Sequence, residues 1–341
     1  MKICFLSGPY DPGKCGISDY INLLGSELKN HGHQCPHIAI DEENTLSDIS
    51  QNLPTADLYS IQFAPFSFSP TGLSKKSLRG LASSLNGKNT HINFHEIWIG
   101  AYPNAKWKEK CIGWLQRKEI VKFINLSNPA LITCSNSAAI DRMKQSGIDC
   151  NYLYLFGNIP YSPTEESKAL KGLSVVFFGT LYEKFPYKLL AENLDEISKS
   201  LNIPILIKII GRQRESKGLK EINKISKKLS IVISQLGEQP SKVISKEFQS
   251  CDLGISTTPY DILGKSGATA AMLEHGLPIL AYDDGDTPKN NLFVMQEFED
   301  QVFLLNETFV SKKLTSFFKK SRKPFFDGVA YTAKKMLEIS H

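Results

Sequence analysis

No apolar run in this 341-residue chain approaches the length needed to cross a bilayer, so no membrane-spanning helix is expected. Cysteine is sparse and unpatterned. The seven residues Cys4, Cys15, Cys35, Cys111, Cys134, Cys150 and Cys251 form no Cys-x-x-Cys pair and no Cys/His spacing. That argues against both a zinc site and a disulfide framework, and for reduced thiols in the core. Charge of one sign is also lacking: 40 Lys and Arg face 35 Asp and Glu, a net +5, which permits an anionic partner without demanding one. No nucleic-acid-binding motif is present. After the first apolar strand there is no G-x-G-x-x-G and no acidic residue at the matching distance, which disfavours an NAD-dependent enzyme. The GKS at residues 264–266 is not a Walker A loop, because Pro259 stands where that motif needs glycine. No D-x-D closes a strand, and the cluster Asp283, Asp284, Asp286 reads as a solvated loop, so no metal and no cofactor are expected. The opening MKICFLSGPYDPGK turns polar after Leu6, too soon for a secretory signal, and a cytoplasmic protein is expected.

What is present is ordinary for a globular protein, 41% hydrophobic and 22% charged, with length for two domains. Strands are expected at residues 2–6, 36–40, 58–63, 91–94, 130–134 and 152–155, with helices over 18–30, 72–84, 108–123 and 137–145. Polar residues close several of these strands: Gln62, His95-Glu96 and Ser135-Asn136. Residues 156–173 collect Pro, Gly, Ser and charge, as a linker does. A second alternation follows, with strands at 174–178, 205–210, 231–233, 253–255, 278–282 and 302–304, and two closing helical segments, 307–319 and 325–340. Alternation of this kind gives parallel sheets covered on both faces. The expected domains are 1–158, 159–324 and a terminal helix over 325–341 that packs back on the first domain. A cleft between two such domains is the default site.

Residues 251–282, CDLGISTTPYDILGKSGATAAMLEHGLPILAY, read as strand, loop, helix and strand. The helix should open at Ser266-Gly267 and end at Gly276, with Pro278 beyond. Parallel pairing puts its start at the carboxyl edge of the sheet, where free N–H groups and a partial positive charge favour an anion. Lys265 stands beside it. A phosphate-bearing ligand fits best.

Several stretches together resemble the two-domain GT-B glycosyltransferases, especially retaining family 4. GKCGISDY at 13–20 is similar to that family's glycine loop, with Cys15 for its first glycine, and INFHEIW at 92–98 to its strand-end histidine. FFGTLYEK at 177–184, KIIGRQR at 208–214, QLGEQP at 235–240, CDLGIS at 251–256 and HGLPILA at 275–281 resemble its second-domain signatures in order. The family's paired glutamates would fall on Leu263 and Ala271, so neither is present, and Glu274 is the one carboxylate nearby. Thr180 replaces an expected arginine. The KSGA turn at 265–268 also resembles the SGA turn of inverting GT-B enzymes acting on lipid-linked cell-wall sugars, so both stereochemical outcomes stay open.

The resemblance implies an α/β protein of two doubly wound, Rossmann-like domains facing a central cleft. It implies a hexosyltransferase-like enzyme of polysaccharide biosynthesis, retaining and metal-independent, moving sugar from a nucleoside diphosphate to a glycan or lipid-linked acceptor. The alternatives are an inverting GT-B enzyme and a catalytically silent module that binds nucleotide or glycan. The leaving diphosphate would be met by the N–H groups of Ser266, Gly267 and Ala268 and by Lys265, Lys184 and Arg212, with Arg214 the weaker candidate. Gly237 and Glu238 would present backbone to the base, Gly16 would close over the phosphates, Thr180 and Glu274 complete the donor set, and His95 would contact sugar or acceptor. Lys106, Lys108, Lys110, Arg117, Lys118 and Lys122 around Trp107 and Trp114, and a second basic stretch over 312–323, suit an anionic membrane at its inner face.

Overall fold

The computed structural model describes residues 1–40, 49, 53–69, 72, 75–101, 105–164, 172–212, 217–226, 231–283, 296–305 and 323–340. The chain divides into two compact units, Met1–Leu155 with Gly328–His341, and Phe156–Asp327.

The first unit runs β1 (Ile3–Ser7), α1 (Gly16–Asn30), β2 (His37–Ala39), β3 (Leu58–Phe63), α2 (Lys75–Leu85), β4 (Thr90–Phe94), α3 (Trp107–Ser127), β5 (Leu131–Cys134), α4 (Ser137–Lys144) and β6 (Asn151–Tyr152). Its strands form one parallel sheet, β2-β1-β3-β4-β5-β6. β1, β3 and β4 are buried along their whole length, as parallel strands must be when helices cover both faces. On one face Leu6, Ile61, Phe63, Ile92 and Phe94 pack with Leu81, Leu85 and Phe123 of α2 and α3. α1 buries Tyr20, Ile21, Leu24 and Leu28, an i, i+4 stripe, and ends near Gly32, whose φ is +82°. The apolar run at 152–155 is a strand only as far as Tyr152. Leu153 N–H still donates to Cys134 O of β5 at 3.0 Å, and beyond it the chain lies with the terminal helix, where Tyr154 O accepts from Thr332 Oγ. That helix, α9 (Gly328–Ile339), packs against α1. It begins three residues later than the pattern suggests, because Phe325 and Phe326 belong to the second unit, Phe325 stacked on Tyr161 and Phe326 edge-on to Phe298.

The second unit runs β7 (Leu173–Phe178), α5 (Tyr187–Leu201), β8 (Ile205–Ile210), α6 (Lys217–Ser226), β9 (Ile231–Gly237), α7 (Ser241–Ser250), β10 (Leu253–Pro259), a 3₁₀ turn (Tyr260–Lys265), α8 (Gly267–Glu274), β11 (Ile279–Tyr282) and β12 (Val302–Leu305). The sheet order is β12-β11-β10-β7-β8-β9, all parallel. The chain winds outward from β7 to β9, then returns to β10 and winds the other way. Order therefore reverses between β7 and β10, and in open α/β sheets the crevice at that reversal is where ligands bind. The helical segment expected over 307–319 lies outside the described residues.

Candidate functional site

The reversal point of the second unit opens into a cavity of about 200 Å³. Phe178, Gly179 and Thr180, at and just after the end of β7, line it. Ser256, Thr257 and Thr258 come from β10, Ser266, Ala268, Thr269 and Met272 from the start of α8, and Tyr182 stands at the side. None of these residues is charged, and five carry aliphatic hydroxyls besides Thr180. Gly179 has φ +87°, and a Cβ built on it would lie 3.5 Å from that of Ala268. Gly211 and Gly237, which follow β8 and close β9, also have positive φ, and Gly211 N–H donates to Gly237 O at 2.7 Å. Three adjacent strands thus turn on glycine, the residue that takes such φ values without a Cβ clash.

α8 is capped by its own first turn. Ser266 Oγ accepts from Thr269 N–H at 3.2 Å and from Thr269 Oγ at 2.9 Å, and Ser256 Oγ lies 2.8 Å from that same hydroxyl. The expected role of the Ser266 N–H needs correction: it donates to Leu263 O at 3.0 Å, closing the 3₁₀ turn. What remains for an anion is the pair of N–H groups on Gly267 and Ala268, in the first turn where a helix has no internal acceptors. Lys265, next to Ser266, and Lys184, two residues after Tyr182, are exposed at the cavity's flanking loops.

Other expected donor contacts are placed elsewhere. Glu274 is 3% exposed and its Oε1 accepts from Gly157 N–H at 2.9 Å. As the last residue of α8 it stands about 10 Å of helix rise from Gly267. It therefore anchors the segment entering the second unit, where a Cβ on Gly157 would meet Ala271 Cα at 2.4 Å. Arg212 and Glu238 bond to each other at 2.8 Å, both more than half exposed. The pair follows β8 and β9, and Gly237 closes β9, the sheet edge two strand spacings, about 10 Å, from β7. So open a pair contributes little to stability. Arg214, Asp284 and Asp286 lie outside the described residues, as does 312–322; Lys323 pairs with Asp300. Among the described residues no cluster of three metal-binding side chains occurs.

In the first unit the structure brings two motifs together. Tyr20, from the glycine-loop stretch, meets the ring of His95 edge-on at 4.9 Å and bonds Asn93. His95 follows β4 and its N–H donates to Phe63 O. Gly16 opens α1 with no atom within 4 Å of a built Cβ and no positive φ, so packing does not require glycine there. The loop before it is folded on α1, with Gly13 N–H donating to Asp19 and Asp11 N–H to Ser18. Asn136, one of the polar residues that follow β5, caps α4 by accepting from Ala139 N–H.

Sequence reading missed the hydroxyls of Ser256, Thr257, Thr258 and Thr269, which look like ordinary polar loop and helix residues. It also missed a set of buried polar side chains on β3, β4 and β5. Their signal was polar residues at alternate positions, Ser60 and Gln62, then His91, Asn93 and His95, in strands buried on both faces. Burial holds His95 at a pKa of about 4 and His91 at about 3, the latter aided by repulsion from His95. Both rings are neutral at pH 7. Because the unfolded chain protonates its histidines near pH 6.5, folding stability should fall as pH drops through 6.5 toward 5. His91 alone should remove about 2 kcal/mol by pH 5. Urea midpoints at pH 7.5, 6 and 5 check this, and a flat profile contradicts it.

No family model and no curated protein sequence gives a significant match to the chain. Solved structures do match. The complex of Anabaena HepE with UDP aligns over 100% of this chain and 94% of its own, with a TM-score of 0.58 and 14% identity. AviGT4, a glycosyltransferase of avilamycin A biosynthesis, aligns over 100% and 97%, with a TM-score of 0.55 and 12% identity. A putative UDP-N-acetylglucosamine 2-epimerase from Listeria monocytogenes aligns over 98% and 94%, with a TM-score of 0.54 and 11% identity. The chain therefore has the two-domain α/β architecture of the GT-B fold. That fold is shared by proteins described as transferases and as an epimerase, so activity has to be argued from the site.

Proposed function

We propose that the chain is a glycosyltransferase that takes a nucleoside-diphosphate sugar in the cavity of the second unit and passes the sugar to a hydroxyl of a glycan or glycolipid. The observation that carries this is the cavity at the β7/β10 reversal: its described lining is uncharged and rich in hydroxyls, and Gly267 and Ala268 stand in the first turn of the helix beside it, where N–H groups have no helical acceptor. Such groups meet the charge that grows on a departing diphosphate, one fixed donor being worth ~10²–10³ in rate. Lys265 and Lys184 add exposed positive charge, and the reading requires no metal or cofactor. HepE with bound UDP-glucose, similar in fold, supports the donor class.

Retention is the favoured outcome. Among the described residues no carboxylate lines the cavity to act as nucleophile, and a leaving phosphate can itself take the acceptor proton on the same face. His95 then contacts sugar or acceptor; under inversion it would be the base, and the anomeric configuration of the product, read by NMR, separates the two. Melting-temperature screening with UDP-, GDP-, dTDP- and ADP-sugars should identify the donor, because a ligand of the folded state alone raises the melting point. Sugar transfer from that donor should fall ~10-fold or more in Lys265→Ala. Leu263 and Ala271, where the resemblance places glutamates, favour one rival, a module that binds nucleotide without turnover. Binding with no consumption of any donor would establish it.

The acceptor side extends the reading to a cytoplasmic protein lying on an anionic membrane. Trp107 and Trp114 on α3 are 70% and 52% exposed, and Lys118 Nζ sits 3.6 Å from the Trp114 ring centre. Among the described residues no helix is long and apolar enough to cross a membrane. Liposome binding should rise with anionic lipid, fall with salt and drop in Trp107→Ala/Trp114→Ala; salt-insensitive or absent binding contradicts this.

A further inference from the structure

The buried polar side chains of the first unit close on themselves. Asn93 Nδ2 donates to Gln62 Oε1 at 3.0 Å, Gln62 Nε2 to Ser60 Oγ at 2.8 Å, and Ser60 Oγ meets His91 Nδ1 at 3.0 Å. His91 Nε2 meets Thr133 Oγ at 2.8 Å, and Thr133 Oγ donates to Asn93 Oδ1 at 2.9 Å. The circuit runs one way round: Ser60 O–H gives to His91 Nδ1, and His91 Nε2–H gives to Thr133. Every member is at most 4% exposed, so water does not complete it. Sheet register fixes the members side by side, Ser60 with His91, Gln62 with Asn93 and Asn93 with Thr133.

His95 joins this ring through Nε2, which lies 3.4 Å from Asn93 Nδ2 and closer to Gln62. Its Nε2 lies 2.9 Å from Gln62 Oε1, an acceptor whose amide is already oriented because its nitrogen is committed to Ser60. The contact with Gln62 is the shorter by 0.5 Å, and Asn93 Nδ2 already donates to Gln62, so Nε2 carries the proton and Nδ1 keeps its lone pair. Among the described residues Nδ1 has no hydrogen-bond partner, and the ring is half-buried. Reversing the circuit would flip both amides and move the His95 proton to Nδ1, so the direction of the ring and the tautomer of His95 are one variable.

We propose that Ser60, Gln62, His91, Asn93 and Thr133 are positioning residues that hold His95 in the neutral Nε2–H tautomer and reserve its Nδ1 as the acceptor for a substrate hydroxyl. This rests on the reading of His95 as a substrate-contacting residue. Thr133 is the most informative member, because valine keeps its shape and deletes the hydroxyl while serine keeps the hydroxyl.

The test is long-range ¹H–¹⁵N correlation of histidine-labelled full-length protein at pH 7, without substrate. Wild type should show His95 as Nε2–H alone, Thr133→Val a mixture of tautomers, and Thr133→Ser the wild-type pattern. In transfer assays Thr133→Val should lose ~10-fold in turnover at unchanged nucleotide affinity, with Thr133→Ser restoring it. If Thr133→Val does not fold, Gln62→Glu serves: a carboxylate beside Nε2 should raise the pH at which His95 titrates toward neutrality. A wild-type Nδ1–H tautomer, or a His95 indifferent to both variants, overturns the proposal. The expected spectra in a protein that transfers no sugar would uphold the ring's hold on His95 and overturn the glycosyltransferase reading.

Discussion

Ala268→Phe should abolish nucleotide binding and leave the protein folded. Ala268 is the second residue of α8, lines the cavity, and stands beside Gly179, which is kept without a side chain. A phenyl ring there occupies the space a diphosphate needs and shields the N–H groups of the first turn. The expected loss is at least 100-fold in affinity, about 2.7 kcal/mol. Ala268 is only half-buried and belongs to the cavity wall, so the melting temperature without ligand should move by only a few degrees. Ser266→Ala is the contrasting change. It removes the cap bond to Thr269 and so should cost about 1 kcal/mol of stability with a smaller effect on binding. Titration calorimetry with UDP or the donor found by screening measures both; undiminished binding by Ala268→Phe would show that the ligand enters elsewhere.

His95→Ala should separate binding from chemistry. The described residues that line the donor cavity belong to the second unit, whereas His95 belongs to the first, so nucleotide affinity should be unchanged. Turnover should fall by ~10²–10⁴, the usual worth of a positioned acid or base. The substitution also removes a group that resists protonation, so it should not weaken the protein in mild acid. Turnover within a few-fold of wild type would remove His95 from the reaction and reduce its partners to structural roles.

Much of the scaffold was legible because strands buried on both faces spell themselves out. LYSIQF over Leu58–Phe63 and ILIKII over Ile205–Ile210 are visible as strands from composition alone. The α8 start was legible from Ser266 and its end from Gly276, whose φ is +73°. Strand order was not, and with it the reversal between β7 and β10 that makes Thr180 and Ser256 neighbours of one cavity. Long-range pairing explains the errors as well. Nothing local announces that Glu274 meets Gly157 N–H from 117 residues away, or that Arg212 finds Glu238. The Ser266 N–H was misassigned because a 3₁₀ turn before the helix consumes it, and the sequence DILGK does not distinguish that turn from an open loop. The polar ring was written in the alternation of Ser60, Gln62, His91 and Asn93, yet its closure needs Thr133, which single-strand reading leaves as an ordinary β-branched residue.

The central claim is that the start of α8 grips the diphosphate of a sugar nucleotide. Amide NMR of the full chain titrated with UDP tests it directly. The account predicts that the largest shifts fall on Gly179, Thr180 and Gly267 to Thr269, and that they vanish in Ala268→Phe. Saturable UDP binding that leaves those amides unmoved, with its shifts confined to other strand ends or to the first unit, would contradict it.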